Sequence, residues 1–341
     1  MPSYTAEPEF ARWVRALPKA ETHLHIEGST APELLAEAFP ERARAWSRAG
    51  GEPPFWYPDF RYKDFDAFEA RYIADVMPYY TSAERYHEAA AAMFATCVAQ
   101  GCRYVETSFH LPGLAFARLD GPEVLAALRE AVPPGLEARF FGGMCHDDYA
   151  AHGALLEASL GWADLDGIDL HGPEYRPMEP WTADLWARAR AAGKFTKAHA
   201  GEFMPAGYVA WVLDNLGVKR IEHGVRSVED PELVRRLAAE GVALDVCPIS
   251  NVKLAVAGVG RMGKHPIRRL FDAGVKVTIS TDDTFFFGNR LEEEYYALAQ
   301  DLGFTRAELV RVARHGIDVA LLDPAEKAAI HAELDAVAAT V

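Results

Sequence analysis

The chain has 341 residues, half of them apolar and a quarter charged, with a formal net charge of -15 at pH 7 and a mean hydropathy of -0.10. That composition belongs to a folded globular protein and not to a disordered chain. The negative field excludes nucleic acid and anionic membrane as the main partner and leaves a small neutral or cationic molecule. It says nothing about self-association, so a homo-oligomer stays open.

The opening stretch "MPSYTAEPEFARWVRALPKAE" has no basic segment followed by a long apolar one, and no later segment reaches about 18 uninterrupted apolar residues. A cytoplasmic protein is expected. Cys97, Cys102, Cys145 and Cys247 lack C-x-x-C spacing and sit in apolar surroundings, which reads as four buried reduced thiols.

In chain order, short apolar runs alternate with longer amphipathic ones. Candidate strands are "ETHLHI" (21–26), "CRYVETSF" (102–109), "LEARFFGG" (136–143), "GIDL" (167–170), "KFTKAHA" (194–200), "KRIEHG" (219–224), "VALDVCP" (242–248) and "KVTISTDD" (276–283). The intervening segments read as helices, several opening on Asp or Pro and closing on Gly. Eight strand–helix units predict a (β/α)8 barrel, an α/β fold in which residues 1–341 form one domain. Residues 39–80, rich in aromatics, Pro and charge, break the alternation and read as a helical insertion after strand one, placed to act as a lid over the barrel mouth.

In a barrel, residues at the C-terminal ends of strands meet at the active-site mouth. His23 and His25 stand two apart on the first strand and project to one face. His199 and Glu202 close the fifth strand, His223 the sixth, and Asp282 and Asp283 the eighth. Any one of these has an ordinary reading, as a satisfied core histidine or a helix cap. Four strand ends of one barrel all carrying such groups do not. Imidazoles with a carboxylate suit Zn²⁺, which lowers the pKa of bound water toward about 7 and makes hydrolysis feasible at neutral pH.

Taken together, "LPKAETHLHIEGS", "IDLHGPE", "AHAGE", "RIEHG", "CPISN" and "STDD" resemble the adenosine deaminase branch of the amidohydrolase superfamily, from about Leu17 to Gly303. The resemblance implies one zinc ion per chain held by His23, His25, His199 and Asp282. It makes His223 the residue that assists deprotonation of the attacking water, Glu202 the acid that protonates purine N1, and Asp283 the partner of N7. Gly172 matches a glycine whose backbone N–H meets N3, and Glu27 occupies the slot associated with the ribose end. Lys197 shares the parity of His199 and reads as electrostatic support for the ligand shell, because the fourth strand offers no bridging lysine for a second metal. His171 has no assigned role.

Substrate signals divide. Known adenosine deaminases commonly carry Asp where Glu27 stands, and "HLHIEG" and "CPISNVKL" resemble adenine deaminases, whereas "GIDLHGPE" resembles nucleoside enzymes. The expected activity is deamination of a 6-aminopurine nucleoside, adenosine first. Adenine itself and a modified adenosine such as aminodeoxyfutalosine are the alternatives. Two other classes compete: hydrolysis of an ester, amide or phosphoester, which needs neither Glu202 nor Asp283, and a non-catalytic purine binder, which needs no complete site. "CPIS" lacks the second cysteine of the thiolate-ligated nucleobase deaminases.

Overall fold

The computed structural model describes residues 4–47 and 52–340. Its strands are β1 (Lys19–His25), β2 (Cys102–His110), β3 (Glu137–Met144), β4 (Gly167–Leu170), β5 (Phe195–Ala200), β6 (Arg220–His223), β7 (Ala243–Val246) and β8 (Lys276–Ile279). They lie side by side in sequence order, every neighbouring pair parallel. These are the eight segments expected from the sequence, with shifted ends. The largest difference is at β8, which ends at Ile279; beyond it Asp282, with a left-handed backbone of φ 68°, keeps only an isolated bridge to Leu24 of β1.

The seam between β8 and β1 closes the barrel through the site residues themselves. Asp282 N–H donates to His23 O at 3.1 Å, and His25 N–H donates to Asp282 O at 3.3 Å. Lower in the seam, Thr22 N–H donates to Ser280 Oγ at 2.9 Å. A bulge in β1 between Glu21 and Leu24 re-aims the histidines relative to the regular register.

Helices pack outside the strands, and their ends follow the punctuation in the sequence. Asp120 and Asp230 cap helices Gly121–Glu130 and Pro231–Glu240 through their side chains, and Gly217 and Gly241 end helices in the left-handed conformation that favours glycine. Among the described residues no helix is long and apolar enough to cross a membrane.

Within residues 39–80 the chain forms short helices at Pro40–Ser47 and Phe65–Arg71, then a wide turn at Tyr72–Val76. Residues 48–51 of that expected insertion lie outside the described residues. The insertion rests on the aromatic run after β8: Phe68 stacks on Phe287 at 5.7 Å and Tyr72 on Phe286 at 5.5 Å between ring centroids. Lys253, the last residue of the short helix Pro248–Lys253 after β7, ties it down by donating to Phe55 O at 2.7 Å.

Candidate active site

The bulge in β1 and the register of β5 bring ring nitrogens of His23, His25 and His199 within 4.8 Å of one another. Asp282 completes the group: its Oδ1 lies 3.5 Å from His23 Nε2 and 3.3 Å from His25 Nε2. Each imidazole is oriented from behind. His23 Nδ1 meets Asp245 O at 3.2 Å, His25 Nδ1 meets Ser108 Oγ at 2.7 Å, and His199 Nδ1 meets Leu170 O at 3.0 Å. Engaging Nδ1 leaves Nε2 to face the common centre, the arrangement that metal-ligating histidines use. His23 Nε2 is buried without a hydrogen-bond partner, and Ser250 Oγ–H fixes Asp282 by donating to Oδ2 at 2.7 Å. A set of three nitrogens and one oxygen with an orphaned ring nitrogen fits a zinc ion.

Beneath these residues the barrel interior is charged where layers of branched apolar side chains are usual. Glu106, Asp169, Lys197, Arg220, Glu222 and Asp245 are each at most 2% exposed. Lys197 Nζ lies 2.6 Å from Glu222 Oε1 and 3.4 Å from Glu106 Oε2, and Glu222 Oε2 lies 2.9 Å from His199 Nδ1. Arg220 bridges Asp245 Oδ2 at 2.6 Å and Glu106 Oε2 at 3.1 Å. Four carboxyl groups therefore face two cations directly under the histidines. That imbalance favours a positively charged occupant above them. Burial works against the Lys197 charge, but Glu222 and Glu106 outweigh it and hold the ammonium above its ordinary range.

Glu202 and His223 stand beside the ligand group. His223 Nε2 is 3.5 Å from Glu202 Oε2 and 3.9 Å from Asp282 Oδ2. Asn251 touches both, donating from Nδ2 to Glu202 Oε1 at 3.0 Å and lying 3.1 Å from His223 Nδ1; His265 Nε2, 3.1 Å from Asn251 Oδ1, holds the amide in place. Burial first, then the carboxylates of Asp282 and Glu174, push Glu202 well above the usual carboxylate range. Glu174 also fixes the loop that carries it, accepting the backbone N–H groups of Glu202 at 3.0 Å and Met204 at 2.6 Å. Asp283 is raised by burial and by its neighbour Asp282, and its Oδ1 is buried without a partner. His223 and Asp282 are both non-glycine residues with positive φ, 64° and 68°. Such strain costs of order 1–3 kcal/mol per residue and concentrates at functional sites.

A cavity of about 280 Å³ opens onto this group, lined by His25, His199, Glu202, His223, Asp282 and Asp283. Gly172, at φ 83°, His110 and His171 form another part of its wall, and Phe65, Phe68, Tyr72 and Met77 of the insertion also line it. Glu27 is placed differently. Its carboxyl is buried behind Tyr72, where Oε1 accepts from Tyr86 O–H at 3.1 Å and from His110 N–H at 3.0 Å, and it is not part of the lining. The residue expected at the substrate is thus placed among hydrogen bonds to Tyr86 and His110. A larger cavity of about 520 Å³ lies beyond the Glu27–Ser29 turn, but it carries no imidazole.

The structure brings together every other residue expected at the site: His23, His25, His199, Glu202, His223, Asp282, Asp283 and Gly172. Sequence reading gave no role to Ser250, Asn251, Glu174, Asp245, Glu222, His110 or Tyr72. The strings "CPISN" and "HGPE" contain three of them, but their partners are distant in sequence.

Comparison with known proteins agrees with this geometry. Residues 18–337 match the family model described as adenosine deaminase. An adenine deaminase from Sphingopyxis alaskensis is 34% identical over 98% of this chain and 99% of its own length, and one from Rhodospirillum rubrum is 33% identical over 95% and 98%. Among solved structures, an adenine deaminase from Arthrobacter aurescens superposes with a TM-score of 0.80 at 28% identity, covering 94% of this chain and 98% of that one. An amidohydrolase from Burkholderia ambifaria, solved with bound Zn, has a TM-score of 0.83 at 25% identity, covering 99% and 96%. With a barrel, a converging histidine and carboxylate group and a buried acid in one cavity, the chain belongs to the adenosine deaminase family and is a hydrolytic deaminase acting on the amidine C–N bond of an adenine-type purine.

Proposed function

We propose that the chain is a zinc-dependent adenine deaminase, converting adenine and water to hypoxanthine and ammonia. The observation that carries this reading is the convergence of His23, His25, His199 and Asp282 beside Glu202 in a single cavity. The relatives named adenine deaminase favour the free base over adenosine, the first expectation from the sequence. So does the engagement of Glu27 Oε1 by Tyr86 and His110, which holds the carboxyl out of the cavity lining.

His23, His25, His199 and Asp282 would hold one zinc ion, which supplies hydroxide at neutral pH. His223 takes the proton of the attacking water. Glu202, held protonated by burial, gives its proton to N1 as C6 becomes tetrahedral. Asp283 offers a hydrogen bond to N7, and the N–H of Gly172 one to N3. A proton then returns to the 6-amino group, which leaves as ammonia. Residues 39–80, within a single domain spanning 1–341, cover the bound base through Phe65, Phe68 and Tyr72 and exclude bulk water. The four free cysteines, all buried, suit a reducing compartment, and we place the enzyme in the cytoplasm.

The test is a spectrophotometric and ammonia-release assay of the zinc-loaded protein with adenine and adenosine side by side. Preferential turnover of adenine supports the reading. Preferential turnover of adenosine restores the nucleoside reading and requires Glu27 to turn toward the sugar.

A further inference from the structure

Two imidazoles in the cavity wall have no part in the chemistry above. His110 ends β2 and His171 follows β4; both are half-buried, and both line the same cavity as Glu202 and Asp283. His110 Nδ1 lies 2.9 Å from His171 Nε2, a direct hydrogen bond between the rings. Their placement is built. A β-carbon on Gly143 of β3 would stand 2.3 Å from His171 Cε1, so only glycine there admits the ring. His110 is fixed through its backbone N–H, which Glu27 accepts at 3.0 Å.

The order of strands around the barrel says which part of a purine these rings meet. Glu202 follows β5, His223 ends β6 and Asp283 follows β8. With C6 at the centre of the ligand group, those arcs take N1 and N7. The remaining arc, β2 to β4, carries His110, Gly143, His171 and Gly172, and faces N3 and N9. His171 stands nearer the ligand group, its ring centroid 5.5 Å from that of His25, and His110 lies a further 5.2 Å along.

Resting on the adenine deaminase reading, we propose that the His110–His171 pair is a specificity-determining element that recognises the unsubstituted N9 of the free base. The chemistry follows from the bond between the rings. If His110 donates, its Nε2 is an acceptor and His171 Nδ1 carries a proton; if His171 donates, the two outer roles exchange. In either tautomer the pair presents one donor and one acceptor. Adenine protonated at N9 supplies a donor to that acceptor, while N3 keeps the N–H of Gly172. A nucleoside or a 9-alkyl purine has no proton at N9 and leaves one ring nitrogen of the cavity wall unpaired, which sites built on hydrogen bonds reject strongly. Burial holds His110 down at about 4, in keeping with a neutral ring.

The experiment compares kcat/KM for adenine and 9-methyladenine in the zinc-loaded wild type and in the His110→Phe, His171→Phe and His110→Gln variants, with zinc content and melting temperature measured for each. The wild type is expected to prefer adenine by more than about 100-fold. In each Phe variant, which keeps bulk and removes hydrogen bonding, that ratio falls at least tenfold because adenine turnover drops; His110→Gln, which keeps a donor and an acceptor, retains more of it. Equal losses for both substrates, or a wild-type ratio near one, overturn the role of the pair while leaving adenine deamination intact. Failure of the wild type to deaminate adenine overturns the function and the pair together.

Discussion

Gly28 and Asp283 touch so closely that a β-carbon on residue 28 would stand 1.5 Å from Asp283 Oδ1. The glycine that follows Glu27 therefore exists to make room for a carboxyl three quarters of the chain away. Gly28→Ala must displace Asp283 and, through it, the adjoining Asp282. We expect kcat/KM to fall by at least about 100-fold, equivalent to roughly 2.7 kcal/mol of transition-state stabilisation. An alanine variant with near wild-type kinetics would show that Asp283 can leave its position without cost.

Glu202→Gln keeps the shape of the acid and its hydrogen bond with Asn251 but removes the proton for N1. The expected kcat is below about 1% of wild type with zinc still bound in stoichiometric amount. Retention of more activity than that would assign proton delivery to another group. Because Glu202 is raised by burial and by Asp282 and Glu174, it must also lose its proton as pH rises through its shifted pKa, so kcat falls on the alkaline limb and not on the acid one.

Lys197 is the sole lysine of the charged layer and keeps Glu222 from standing as an uncompensated buried anion. Removing one partner of a buried ion pair typically costs about 3–5 kcal/mol. Denaturant unfolding of Lys197→Met should show a loss of that order. A loss under about 1 kcal/mol would mean that Glu222 is neutral in the folded protein.

Lys253 anchors the insertion through Phe55 O, and burial lowers its pKa from 10.5 to about 7. For a base with a lowered folded pKa, the unfolded chain binds more protons between the two values. Stability therefore rises with pH from about 7 toward 10.5 and is penalised below that window. Unfolding free energies at pH 7 and pH 9.5 should differ more in the wild type than in Lys253→Met, by up to about 3 kcal/mol. Parallel pH profiles for the two proteins would contradict the assignment.

The sequence by itself determined the eight strands, because each is a short apolar run bounded by helix caps, and it determined the positions of His23, His25, His199, Glu202, His223 and Asp282, because titratable groups at the ends of such runs stand out against an apolar background. Their tertiary neighbours were not legible in the same way. Whether Glu27 meets substrate or Tyr86, whether Asn251 steadies Glu202, and whether Glu174 caps the Glu202–Met204 loop all depend on contacts between residues far apart in sequence. The charged layer was equally hidden, since Glu106, Arg220, Glu222 and Asp245 make sense only when closure of the barrel places them together. Local patterns record which face of a strand is buried; they do not record what lies across the barrel, and here the opposite wall decides which buried charge is paired, which histidine has a nitrogen to spare, and which edge of the base is read.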